Sequence, residues 1–222
     1  LRIANDAITV LTNASNDSVQ CLTFDDLYGL VGPESEGVKT WSEATAKGAT
    51  SKLPDAPLEI FAPGTESGTY DSFYELAIKD IADERGVPED AQIRPDYGGL
   101  ANDNEIISGL QSVDSSFGWV GFAFAEEATG VREIEVDGGE GCVAPSAETV
   151  ADGTYPLARP LFIYVNNEKL ADNAALSDFV DFYLSDEGMA AVPEVGYVPL
   201  TDADLEATRT TWTEAKAKAT NP

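Results

Sequence analysis

Apolar residues along this chain fall into short continuous runs and into three-to-four spacings, and the two patterns alternate from end to end. Ile8-Thr9-Val10-Leu11-Thr12 predicts a strand, ended by the turn-forming cluster Asn13-Ala14-Ser15-Asn16-Asp17. Thr23 with Asp26 has the form of a capping box and opens a short helix through Leu27, Tyr28, Leu30 and Val31. The chain is polar from 32 to 54, with Trp41 as its main apolar anchor. Leu58-Glu59-Ile60-Phe61 predicts a short strand that runs through a Gly-containing turn into a helix from about 70 to 83. On that helix Tyr70, Phe73, Tyr74, Ala77, Ile78 and Ile81 share one buried face.

Asn102 or Asp103 caps a second helix through Ile106, Ile107 and Leu110. Phe117-Gly118-Trp119-Val120-Gly121-Phe122 predicts a buried strand, followed by a short helix and by Glu133-Ile134-Glu135-Val136. Leu161-Phe162-Ile163-Tyr164-Val165 is the clearest strand pattern in the chain. Helical spacing then covers about 174–184 and 186–191, and a last helix runs from Thr201 or Asp202 to about 218. Strands alternating with helices make the class α/β. There is no internal repeat, and no apolar run approaches the roughly 20 residues needed to cross a bilayer. No basic-then-apolar leader stands at the start of the sequence.

Charge narrows the partners. Forty Asp and Glu against thirteen Lys and Arg give −27 at neutral pH. Such a field repels nucleic acid and anionic membrane, both of which are bound through Lys and Arg. The acids are spread among Trp, Phe, Tyr and Ile, which points to a folded acidic surface suited to a salt-rich setting. Histidine is absent. Ser-His-Asp and Cys-His catalysis and imidazole-based zinc sites are thereby excluded. Neither a metal nor another cofactor is expected. Cys21 and Cys142 are too few for a four-sulfur site; they are two buried thiols in a reducing compartment or one disulfide outside it.

The sharpest local chemistry is Phe61-Ala62-Pro63-Gly64-Thr65-Glu66-Ser67-Gly68-Thr69, set between a strand and a helix. Backbone N–H groups at a helix start have no intrahelical partner and carry partial positive charge. Gly64 and Gly68 let the backbone bend and approach a ligand, and Ser67 and Thr69 add hydroxyl donors. Together they suit a phosphate-like oxyanion. The plain alternative is a Gly/Ser turn that only caps a helix, with Ser72 and Glu75 as a competing capping box. The loop lacks the Gly-Lys-Ser/Thr ending of a Walker A motif, and no histidine exists to activate Ser67. Asn102-Asp103-Asn104 is a second candidate segment, whose plain alternative is again a cap.

Gly64-Thr65-Glu66-Ser67-Gly68-Thr69-Tyr70-Asp71 resembles the Gly-Thr-Asp-Ser-Gly-Thr-Phe-Asp loop of the phosphate-binding receptors of high-affinity phosphate ABC importers. Further segments are similar in the family's order. They are Thr9–Asn13 with Cys21-Leu22-Thr23 and Val38-Lys39-Thr40-Trp41, then Asp103-Asn104-Glu105-Ile106 with Phe117–Phe122. Tyr155-Pro156-Leu157-Ala158-Arg159-Pro160-Leu161-Phe162-Ile163-Tyr164, Phe179–Leu184 and Gly196-Tyr197-Val198-Pro199-Leu200 complete the series. The resemblance implies a periplasmic-binding-protein-like (type II) α/β fold, with two lobes joined by hinge strands and phosphate between them. It places the incoming strand and hinge at 1–9 and the second lobe at 10–155. Residues 156–222 then form the return strand and the C-terminal helices that pack on the first lobe. The opening part of that first lobe has no counterpart here.

The same resemblance implies phosphate binding by Ser67, Gly68 and Thr69, with Thr65, Asn102 and Asp103 as further candidates. It implies a binding protein and not an enzyme, acting in the periplasm or outside the cell and anchored through an upstream lipoprotein signal. It would deliver inorganic phosphate to the permease subunits of the importer. In that compartment Cys21 and Cys142 form a disulfide. Some relatives carry Arg four residues before the Ser of the Ser-Gly-Thr triplet, where this chain has Pro63. A receptor for a related oxyanion, or a sensing or adhesion module of the same fold, is the alternative function.

Overall fold

The computed structural model of the chain describes residues 1–220. Its spine is β1 (Arg2–Asn13), which starts six residues before the predicted strand. The first half of β1 pairs antiparallel with β8 (Ala158–Phe162), from Arg2 opposite Phe162 to Ala7 opposite Ala158. Its second half lies between β4 (Ser116–Gly121) and β5 (Val131–Glu133), and β3 (Glu59–Phe61) adds parallel to β4. One long strand thus belongs to two bodies.

Two strands differ from the sequence pattern. The strand read at 161–165 is observed at 158–162, where it pairs with β1, and Ile163 N–H still reaches Leu1 O at 2.9 Å. Tyr164 is left 91% exposed. The run Glu133–Val136 is split: β5 ends at Glu133 and β6 (Glu135–Asp137) enters a second sheet. Ile134, fully buried, is the crossing point. In that second sheet β2 (Cys21–Thr23) runs parallel to β6, and β7 (Cys142–Val143) antiparallel to it. Cys21 and Cys142 form a disulfide that spans β6, with Cα atoms 6.0 Å apart.

The capping box at Thr23 forms as read. Thr23 Oγ1 accepts from Asp26 N–H (3.1 Å) and Asp26 returns the bond to Thr23 N–H (2.9 Å), opening α1 (Phe24–Val31). Buried Asp26 also accepts from the N–H groups of Thr50 and Ser51 and from Ser51 Oγ, pinning the polar 32–54 stretch. Trp41 anchors that stretch, fully buried, edge-on to Phe117 at 5.5 Å, with its Nε1–H donating to Ser115 O. After β3 the chain makes one rod: α2 (Gly68–Phe73), a π turn over Tyr74–Ile78, and α3 (Lys79–Glu84). Phe73 stacks on Trp119 at 4.2 Å in the centre of the main core. Beneath β1 and β4, α4 (Asp103–Ser112) and α5 (Phe122–Glu127) close a smaller apolar cluster around Leu11, Leu110 and Val120. α6 (Ala147–Ala151) precedes β8.

The chain after β8 builds a separate core. α7 (Asn167–Asp172), α8 (Ala174–Tyr183), α9 (Asp186–Met189), α10 (Ala191–Glu194) and α11 (Asp202–Thr220) pack Leu170, Val180, Leu184 and Trp212 against Ala4 of β1. Pattern reading gave one helix over 186–191, where two short ones lie, meeting at Ala190. No described helix is long and apolar enough to cross a membrane.

Candidate functional site

The loop after β3 is held from below. Gly64 N–H reaches Leu100 O, Leu100 N–H reaches Ala62 O, and Tyr97 OH donates to Pro63 O at 2.8 Å. Ser67 N–H closes a turn onto Gly64 O at 3.0 Å. Ser67 is then the N-cap of α2, its Oγ accepting from Thr69 N–H at 3.2 Å. An accepting hydroxyl keeps its own hydrogen, so capping and donation to a ligand are compatible at this residue. The competing box at Ser72 does not form, because Ser72 Oγ donates back to Gly68 O at 2.6 Å.

The glycines act differently from the sequence expectation. Neither Gly64 nor Gly68 has a positive φ, so neither is needed for an unusual bend. A Cβ on Gly99 would lie 2.7 Å from Gly64 Cα, so the pair permits close backbone packing. A Cβ on Gly68 would meet nothing within 4 Å. Its bare backbone faces open space.

That space is a cavity of about 320 Å³ in which three helix starts meet. Gly68 and Thr69 come from α2, Asp103 is the first residue of α4, and Gly121 with Phe122 opens α5. Each helix start carries unpaired N–H groups and the positive end of a peptide dipole. Three such ends on one cavity favour an anion there, in a chain otherwise strongly negative. Burial raises the pKa of the Asp103 carboxyl above its ordinary value.

Of the six residues singled out by sequence, Gly68, Thr69 and Asp103 line this cavity and Ser67 caps the helix at its edge. Thr65 does not join them. The turn at Gly64–Ser67 sends it to a second cavity of about 570 Å³, beside Glu66, Tyr70, Arg94 and Tyr97. Asn102 is exposed and its Oδ1 accepts from Asn104 N–H at 2.9 Å, which is the cap role. Sequence reasoning missed Asp6 and Arg159, an ion pair at 3.2 Å on the same cavity wall. The available signal was one charge in each of two strand segments, 153 residues apart.

The fold thus sets a cleft where three helix starts face the crossing strands. Residues 1–187 match the family described as PBP superfamily domain, and the chain belongs to that family. It is 39% identical over 203 residues to Protein SphX of Synechocystis sp., covering 90% of this chain and 56% of that protein. It is 32% identical over 199 residues to the phosphate-binding protein PstS of Staphylococcus haemolyticus, covering 89% of this chain and 56% of the relative. The chain thus spans about half the length of these relatives. Among solved structures, a possible phosphate binding protein from Planctomyces limnophilus is similar with a TM-score of 0.81 and 30% identity, over 97% of this chain and 72% of that one.

Proposed function

We propose that this chain is the larger part of a phosphate receptor that works outside the cytoplasmic membrane and delivers inorganic phosphate to the permease subunits of an ABC importer. The carrying observation is the meeting of three helix starts, with Gly68, Thr69 and Asp103, on one cavity. The similar phosphate-binding proteins supply the ligand class. Phosphate leaves water at a cost of several kcal/mol unless its oxygens find donors, and here the donors are the Ser67 and Thr69 hydroxyls and the N–H groups of the loop.

In this proposal residues 10–155 form one lobe, 1–9 the hinge, and 156–222 the return strand and helices of the facing lobe. The division of the apolar core supports it: the cluster with Trp212 draws only on residues before Ala7 and after Arg159. Phe162, Tyr164, Phe179 and Phe182 are 49–91% exposed, a surface of the kind that a further layer covers. The remaining part of the proposed receptor would supply that layer, and hinge closure would complete the phosphate shell. The disulfide suits an oxidising compartment, periplasmic or extracellular, and anchoring through a lipoprotein signal belongs to the same proposal. Binding, and not catalysis, is the proposed activity.

Equilibrium dialysis with radiolabelled inorganic phosphate tests it, on this chain and on the longer natural protein. Retention that unlabelled phosphate displaces and chloride does not is the expected result, weaker for the chain alone because half a cleft leaves the anion hydrated. No retention by the longer protein would overturn the proposal.

A further inference from the structure

Asp6 and Arg159 face each other in register across β1 and β8, on the wall of the cavity that holds Gly68 and Thr69. Arg159 is the only Lys or Arg among the described residues lining it. Its Nε and Nη2 both donate to a single oxygen, Asp6 Oδ2, at 3.3 and 3.2 Å. Charge-assisted N–H···O bonds normally close to about 2.7–2.9 Å, so this grip is loose. Arg94 shows the opposite arrangement. Its Nε and Nη2 take separate oxygens of Asp96, the second at 2.6 Å, and Nη1 donates to Leu30 O. The Arg94 side chain is 5% exposed and that of Arg159 38%. Arg94 is part of the packing, whereas Arg159 borders open space with its fork only half used.

An anion among the helix starts needs a counter-charge that those starts supply only in part, since each end is worth roughly half an elementary charge. Pro63 contributes none, and Asp6 and Asp103 add negative charge to the same wall. We infer that Arg159 is the charge partner of the bound oxyanion, and that Asp6 is the resident counter-ion which the oxyanion displaces. With the cavity empty, the guanidinium rests on one oxygen of Asp6. With phosphate present, it turns its planar fork to two phosphate oxygens, the geometry in which Arg binds most strongly. This inference rests on the phosphate site proposed above and adds its charge-compensating residue.

Titrating inorganic phosphate into the ¹⁵N-labelled chain at fixed ionic strength tests it, following the amides of Gly68 and Thr69 and the Nε–H of Arg159. In the parent all three signals should move together. Arg159→Gln should weaken phosphate binding about 10- to 150-fold. Arg159→Lys keeps the charge but not the fork and should lose less; it also serves if Arg159→Gln fails to fold. Asp6→Asn removes the competitor and should tighten binding by about two- to five-fold. The opposite signs matter, because a pair that merely braces β1 against β8 would make both variants bind more weakly. Parent-like affinity in Arg159→Gln, or weakening in Asp6→Asn, overturns the inference while leaving the phosphate site standing. Absence of any shift in the parent, for this chain and for the longer natural protein alike, overturns the site itself.

Discussion

Between Ala7 and Ala158, Trp41, Phe73, Phe117 and Trp119 are fully buried, and a disulfide ties the small second sheet. In the body that joins the start of β1 to the helices after β8, Trp212 is 3% exposed but Phe162, Tyr164, Phe179 and Phe182 stand 49%, 91%, 60% and 55% exposed. Both bodies have the apolar residues for a core. They differ in how many faces are covered: α8 puts Val180 inward, Leu184 just after it also points inward, and Phe179 and Phe182 are left outside. The contrast shows that an apolar pattern marks a face to be buried without saying which layer will bury it. In the proposed receptor, the exposed face of the second body is where a further layer would pack.

If that contrast holds, equal chemical insults should cost unequal amounts. The largest cost is expected at Asp96, whose carboxyl the hydrogen bonds from Arg94 hold down at about 2. Asp96→Asn leaves the buried guanidinium of Arg94 without its charge partner, a change worth about 3–5 kcal/mol. The Asp96 side chain is 30% exposed, so the low end, about 3 kcal/mol, is expected. A carboxylate with a depressed folded pKa stabilises fully above its unfolded value of roughly 3.9 and loses that contribution as pH falls toward 2. The gap between parent and variant in urea unfolding should therefore shrink as pH falls through that window. A gap independent of pH would contradict the assignment.

Next comes the disulfide, again in the covered body. It links residues 121 positions apart; chain-entropy accounting gives roughly 5 kcal/mol for so long a loop, and disulfides typically contribute less, about 2–4 kcal/mol. Paired Cys21→Ala and Cys142→Ala should lower stability by that amount, and thiol titration of the unfolded, unreduced parent should find no sulfhydryl. Two reactive thiols would remove the bridge from the account. The smallest effect is expected in the open body: Tyr164→Ser should change the stability of this chain by no more than about 0.5 kcal/mol. A loss above about 2 kcal/mol would mean that Tyr164 is packed and that the two bodies do not differ as described.

Local chemistry was legible in the sequence, and long-range pairing was not. The Thr23–Asp26 box, the buried face of the rod after the loop and the anchoring by Trp41 each follow from a few neighbouring residues. Arg2–Ala7 carries no strand alternation of its own and becomes strand because β8 lies beside it. The loop was visible as a unit, yet the Gly64–Ser67 turn decides that Thr69 meets one cavity and Thr65 another. Asp6 and Arg159 meet only through strand register, which no local spacing reports. The pairing of Cys21 with Cys142 followed from family resemblance, since their spacing alone left thiols and disulfide equally open.

The central claim is that the Gly68–Thr69 end of the loop holds phosphate, and calorimetry on Thr69→Ala tests it most directly. The substitution removes one hydroxyl and keeps the Ser67 cap, which uses the backbone N–H of residue 69. A hydrogen bond to a charged group is worth about 1.5–3 kcal/mol, so affinity for inorganic phosphate should fall about 10- to 150-fold. Ser108→Ala is the control: that exposed hydroxyl donates to Asn104 O within its own helix and should leave affinity unchanged. The loss in Thr69→Ala is expected at unaltered melting temperature. Parent-like affinity in Thr69→Ala would contradict it and reduce the loop to a helix cap.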